Sequence, residues 1–307
     1  MLYAFRQIVG ADSLSSPSLH PAALRDLNAA GSVRFGTDQD ASRANLYFRP
    51  PRASNSSSKE GIELPPTSQR NRLLAHLSGV DGDPLALAGL ERVKLEVRQV
   101  LEAPGVPIAA AYFVESGLVS VVGTTRPNQR IEVGMIGFEG MTGTAIVLGD
   151  DRSASEYIVQ SAGEAFRISV SDLRAAMQHP ARRALFLRYI HVLMAQGSQT
   201  ALANGRGRLG ERLARWILMW QDRIGTDGLV VTHEFLSILL GVRRSGVTVA
   251  LHVLEGQSLI KATRTLIQVL NRQGLQAAAS GFYGIPEAEY DRLIGPLAAS
   301  ESGPSFP

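Results

Sequence analysis

Residues 231–251 read VTHEFLSILLGVRRSGVTVAL, and their spacing predicts two short helices that cross about a glycine. Leu236, Leu240, Val242, Val247 and Ala250 recur at helical intervals, which turns one face of each helix toward a shared core. Ser237 is small, so the second helix can approach closely. Gly241 falls where the first helix must stop and the chain must swing through roughly a right angle, a backbone conformation that glycine adopts at the least steric cost. Thr232 precedes the first apolar turn, where its hydroxyl is suited to accept from a free backbone N–H as N-cap.

The same spacing puts Arg243, Arg244, Ser245 and Thr248 on the early, outward side of the second helix, away from Val247, Ala250 and Leu251. A guanidinium donates two parallel hydrogen bonds to guanine O6 and N7, or clamps a phosphate, so paired arginines at the start of such a helix suit contact with a DNA major groove. The plainer alternative is a solvated basic helix start in any three-helix core. Farther on, SLIKATRTLIQVLNRQGL (258–275) reads as a two-stranded hairpin around Ala262 to Arg264, followed by a helix start. Lys261 and Arg264 near its tip stand either to meet phosphate oxygens, which position a protein without specifying sequence, or to be solvated turn charges.

Charge is distributed unevenly around this segment. Residues 68–170 carry 9 Lys/Arg against 12 Asp/Glu, whereas residues 205–284 carry 10 against 5, so the basic footprint coincides with the helical hook. With 307 residues, 45% of them hydrophobic, the chain can bury two ordinary cores. It has no cysteine, which excludes disulfides, thiolate zinc sites and cysteine-ligated iron–sulfur clusters. No stretch approaches 18 uninterrupted apolar residues and the opening MLYAFRQIVGAD lacks a signal-peptide core, so a soluble cytoplasmic protein without a membrane partner is expected.

Residues 1–67 mix Ser, Pro, Ala, Asn and Arg with few periodic apolar positions and read as a disordered leader. NRLLAHL (71–77) is expected to be a short helix, and RVKLEVRQVL (92–101) a half-buried strand with Val93, Leu95 and Val97 on one face. The apolar runs AAYFVESGLVSVV, IEVGMI, GTAIVLG, EYIVQSAG and EAFRIS follow, separated by turn signals, and predict an all-β domain over about 90–170. After SDLRAAMQHP the proline-free run ARRALFLRYIHVLMAQGSQTALANG is a long helix, with apolar side chains on more than one face for the β domain and for a partner copy. A second helix, ERLARWILMWQDRI, leads into the hook.

Three patterns imitate catalytic or cofactor sites. GRGRLG (205–210) satisfies a dinucleotide fingerprint but follows a helix rather than a strand, so it reads as a hinge. HEFLS (233–237) lacks the second histidine of a zinc protease. The six histidines show no ligand spacing, and His191 on the long helix is the one candidate for haem ligation. A cupin-like enzyme would need metal ligands in the β domain, where 90–170 holds no histidine and leaves only carboxylates such as Glu132, Glu139 and Glu156.

FVESG (113–117) and RSA (152–154) in a β-roll, the long helix and the C-terminal THEFLSILLGVRRSGVTVAL together resemble the Crp/Fnr family of bacterial transcription regulators over about residues 70–284. The resemblance implies an α+β fold after the leader. A double-stranded β-helix, the jelly-roll-like β-roll, forms the effector domain over 68–180, a dimerisation helix spans 181–204, a winged helix-turn-helix spans 205–284, and a C-terminal tail covers 285–307. It implies a homodimer on a palindromic operator in double-stranded DNA, with RNA polymerase as a further partner of an activator. It also implies an effector site, since nucleotide-binding members pair a Gly-Glu-x-Gly motif with a downstream Arg-Ser/Thr-Ala; Glu139, Gly140, Arg152 and Ser153 are the matching positions. Here GFEGMTG puts Gly140 directly after Glu139, and Asp150 and Asp151 adjoin Arg152, where they would oppose an anionic ligand. The site is then either a cyclic-nucleotide pocket or a vestigial or differently specific one. A protein-interaction module that kept the fold without DNA binding is the remaining class, and no catalytic or metal site is expected.

Overall fold

Asn71 starts helix α1 (Arg72–Gly79) because its side chain satisfies both ends of a local problem. Its Oδ1 accepts from the N–H of Leu74 and caps the first helix, while its Nδ2 donates to the carbonyls of Val114 and Gly140. Glu115, in the FVESG turn, takes the N–H groups of Arg70 and Asn71. The computed structural model describes residues 70–80, 89–126, 129–225, 227–263 and 265–296. The leader assigned to 1–67, and Arg264, lie outside them.

The elements run α1 (Arg72–Gly79), β1 (Glu91–Leu95), β2 (Val100–Glu102), β3 (Ala110–Val114), β4 (Leu118–Arg126), β5 (Gln129–Ile136), α2 (Thr144–Val147), β6 (Glu156–Ser161), β7 (Gly163–Ser169), α3 (Val170–Ala176) and α4 (Pro180–Arg206). Then come α5 (Leu209–Ile224), β8 (Gly228–Val230), α6 (His233–Leu239), α7 (Arg244–Gly256), β9 (Ile260–Ala262), β10 (Leu266–Val269), α8 (Arg272–Ala278) and α9 (Ile285–Leu293). Mixed helices and antiparallel sheets make this an α+β fold.

Two antiparallel sheets, ordered β1-β7-β3 and β2-β6-β4-β5, form the roll. Their inward positions fill it with Leu95, Val114, Val119, Ile136, Tyr157, Val159 and Ala165. Two expectations fail here for local reasons. RVKLEVRQVL is not one strand: Arg98 takes φ +72°, Gln99 N–H donates to Glu96 O, and the resulting turn divides β1 from β2 and leaves Val97 54% exposed. GTAIVLG is not a strand either, since Thr144–Val147 forms the single helical turn α2; a short apolar run has no periodicity with which to tell the two apart.

The long helix α4 buries Leu185, Phe186, Tyr189, Ile190, Val192, Gln196 and Ala203. The segment expected to be a C-terminal tail instead forms α9 over Ile285–Leu293, which packs on α4 and places Tyr290, 1% exposed, so that its hydroxyl donates to Glu139 O at 2.7 Å. Between α4 and α5 the glycine-rich segment is a joint of two residues, Gly207 and Arg208.

Helix α5 is buried on most of its surface and accordingly central: Leu213, Ala214, Trp216, Ile217, Leu218, Met219 and Trp220 are all buried, and so are the charged Arg215, Asp222 and Arg223. The apolar ones share one core with Leu118 and Met135 of the roll and with Leu236, Leu239, Val247 and Leu251 of the helical hook. The small sheet β8-β10-β9 and helix α8 complete the C-terminal part. Among the described residues no single helix is long and apolar enough to cross a membrane.

Candidate nucleic-acid interface

The hook forms as its local chemistry dictates. Thr232 Oγ1 accepts from Phe235 N–H at 3.2 Å and starts α6. Gly241 takes φ +63° just past its end, and α6 and α7 then meet at a bend of 106°. Leu236, Leu239 and Leu240 face Val247, Ala250, Leu251 and Leu254 across the crossing. One contributor has no local signature: the Arg212 guanidinium on α5 donates to the free carbonyl of Leu240, closing the C-terminus of α6 from outside the motif.

Arg243 is the N-cap residue of α7, Arg244 and Ser245 are its first two residues, and all three are exposed. Among the described residues neither arginine pairs with a carboxylate. Thr248 lies beside them, half-buried, donating to Arg244 O at 3.2 Å and lying 3.1 Å from His233 Nδ1. Burial, then the charges of Arg244 and His252, pushes the His233 pKa down, so its ring is neutral at neutral pH. Thr232 has its oxygen committed to the cap, which leaves the hydroxyl proton for an outside acceptor. Lys261 stands exposed on β9, opposite Gln268, and belongs to the same C-terminal part.

The turn of the hook lies against the roll. A Cβ on Gly241 would stand 3.1 Å from Ile131 Cδ1 on β5, and an open groove runs between the β4–β5 hairpin (Gly123, Thr124, Gln129, Arg130) and Ile238, Val242 and Arg243. Beneath this contact Glu132 is 6% exposed, accepting from Ser120 Oγ at 2.5 Å and from the Trp216 indole N–H at 2.6 Å. Burial pushes its pKa up to about 7, against the opposing pull of those two hydrogen bonds and of Arg215 and Arg223.

The four effector candidates do not assemble into a ligand site. Glu139, 2% exposed, holds Arg223 of α5 at 2.8 Å with Oε1 and accepts from Gly137 N–H with Oε2. Arg223, equally buried, also donates to Met135 O and Met219 O and lies 3.9 Å from Glu287 on α9. Burial disfavours its charge, but the surrounding carboxylates outweigh that and keep the guanidinium protonated. Gly140 is needed for close approach, since a Cβ there would lie 2.1 Å from the Tyr189 hydroxyl.

Arg152 is exposed, donating to Gly105 O at 2.8 Å with Asp151 3.4 Å away. Ser153 is buried and accepts from Ser155 N–H. The free N–H of Gly143 is taken by Glu102 at 2.6 Å, a carboxylate 3% exposed whose pKa burial raises. An anionic nucleotide would therefore meet a buried carboxylate and an arginine already engaged, so these residues do not fit that ligand. His191 is exposed and lies 3.5 Å from Glu289 on α9 rather than at an internal haem site. No three His, Asp or Glu side chains come together as metal ligands among the described residues.

A protein-family model, the Crp-like helix-turn-helix domain, matches residues 211–278. Among solved structures, the chain superposes on a protein described as a transcriptional regulator of the Crp/Fnr family from Eubacterium rectale, at 16% identity and a TM-score of 0.53 over 66% of this chain and 95% of that one. FixK2 from Bradyrhizobium japonicum gives 16% and 0.54 over 62% and 96%, and a CRP-family regulator from Thermus thermophilus gives 18% and 0.52 over 62% and 97%. No curated protein matches in sequence. Residues 211–278 therefore match the Crp-like helix-turn-helix domain, in a chain that shares the fold of solved Crp/Fnr-family regulators.

Proposed function

We propose that this chain is a sequence-specific, DNA-binding transcription regulator that acts in the cytoplasm as a homodimer on a palindromic site. The observation that carries the reading is the exposure of Arg243, Arg244 and Ser245, unpaired with any described carboxylate, at the start of α7 in a Crp-like helix-turn-helix domain. A helix so oriented enters a major groove with its first turns against base edges, while Thr232, Lys261 and, outside the described residues, Arg264 supply phosphate contacts.

The outer face of α4 supports the dimer. Leu187, Met194 and Leu202 are 42%, 66% and 48% exposed, and Leu187, Met194 and Ala201 repeat every seven residues along a helix whose other faces are filled by the roll and α9. Two copies joined there would present recognition helices to half-sites about 34 Å apart. RNA polymerase would be the further partner if the protein activates.

Control by the roll is read through its contact with the hook rather than through a cyclic nucleotide. Ile131 against Gly241, and Glu132 hydrogen-bonded to Trp216, are the points where a change in the roll would reach α6 and α5. An effector acts there only if it binds the DNA-competent and incompetent arrangements with different free energy.

Binding to genomic fragments at rising salt tests the function. Neutralised phosphates release counterions, so affinity must fall steeply and linearly on logarithmic axes, with a subset of fragments retained to the highest salt. Failure to retain any fragment even at low salt would refute it and favour a protein-interaction module that kept the fold without DNA binding.

A further inference from the structure

The outward face of α7 holds an apolar side chain among its polar readers. Successive residues turn by about 100°, so Ser245, Val249 and His252 fall along one line, opposite Val247, Ala250 and Leu254 in the core. All three are exposed; Val249 stands 63% exposed, one turn beyond Arg244 and Ser245. Val253, the other exposed valine of the helix, lies another turn away, nearer the core face, and with Ser245 and Val249 it borders an open groove against Leu209 and Gly210 of α5.

We infer that Val249 is a specificity-determining residue that reads the 5-methyl group of a thymine, so that each operator half-site carries a T·A pair beneath it. This rests on the DNA-binding reading above and names the base chemistry of that same site. A valine offers no hydrogen-bond donor or acceptor. The apolar group that distinguishes base pairs in the major groove is the thymine methyl, and polar base edges placed against valine would lose water without gaining a partner. Arg243 and Arg244 anchor the preceding turn, which sets the depth at which a short side chain such as valine can reach a base. Val249 edges the groove between α7 and the start of α5, yet 63% of it stays open to the outside.

The test starts from a duplex selected out of a random pool by the full-length protein. Each thymine of the half-site is replaced in turn by uracil, which removes the methyl and keeps every hydrogen bond. For wild type, uracil at one position should weaken binding about fourfold per half-site, the equivalent of one buried methyl. Val249→Ala, exposed and helix-compatible, should keep the wild-type circular dichroism spectrum and bind thymine and uracil duplexes equally at that position. The inference is overturned if no thymine-to-uracil change affects wild type, or if the loss is the same in Val249→Ala. A pool that yields no enriched sequence at all overturns both this inference and the DNA-binding reading beneath it.

Discussion

Replacing Arg223 by methionine should expose how much of the fold depends on one buried cation. The guanidinium, 3% exposed, faces Glu139 at 2.8 Å and Glu287 at 3.9 Å and donates to two carbonyls. Methionine fills the volume but leaves two buried carboxylates without their counter-charge, a loss of about 3–5 kcal/mol for breaking a pair of this kind. For a unit of this size that corresponds to roughly 6–20 °C in Tm.

The sign of the pH dependence follows from Glu139 and Glu287, whose pKa values burial already raises above 4.5 and which would rise further without Arg223. A raised carboxylate favours folding while protonated, and that contribution is lost as pH climbs through the folded-state pKa. The deficit of Arg223→Met should therefore be small near pH 5 and largest at pH 8, and Glu139→Gln in the same chain should restore part of it. Thermal unfolding followed by circular dichroism at both pH values reads this. A variant within 2 °C of wild type at pH 8 would refute the assignment of Arg223 as the clamp between α5, the roll and α9.

Glu132 titrates near pH 7, so its contribution to stability is full below 4.5 and lost as pH rises to about 7, on the order of 1 kcal/mol per pH unit. Glu132→Gln should flatten the urea midpoint over that interval and raise it at pH 8; an unchanged slope would contradict this. Gly241→Ala, forced to φ +63° with its methyl 3.1 Å from Ile131, should lose about 1–2 kcal/mol in urea unfolding, and a neutral result would mean that the turn relaxes. Met194→Glu with Leu187→Glu should convert a dimer to a monomer in light scattering while leaving the circular dichroism spectrum intact, whereas persistence of the dimer would place its interface elsewhere.

What the sequence disclosed was local. The hook was legible because its cap, glycine and apolar positions lie within 21 consecutive residues, and the roll because alternation survives in most of its strands. The turn at Arg98 was hidden, since a non-glycine residue at positive φ leaves no compositional mark. Long-range partners were hidden too. Glu139 looks like half of a ligand motif until α5 brings Arg223, 84 positions away, onto it. Arg212, which closes α6, reads in sequence as one more surface charge. Helix α9 has only a weak amphipathic pattern, and its place on α4 is fixed by Tyr290 and Glu287 rather than by any stripe.

The most direct measurement compares full-length wild type with the Arg243→Ala, Arg244→Ala double variant on a selected operator and on random duplex of equal length and salt. If these arginines read bases, the variant loses about 1–3 kcal/mol of preference per half-site, so its operator affinity drops well beyond its affinity for random DNA. Equal losses on both duplexes would make the arginines phosphate anchors only. An operator preference unchanged from wild type would contradict the placement of the reading site at the start of α7.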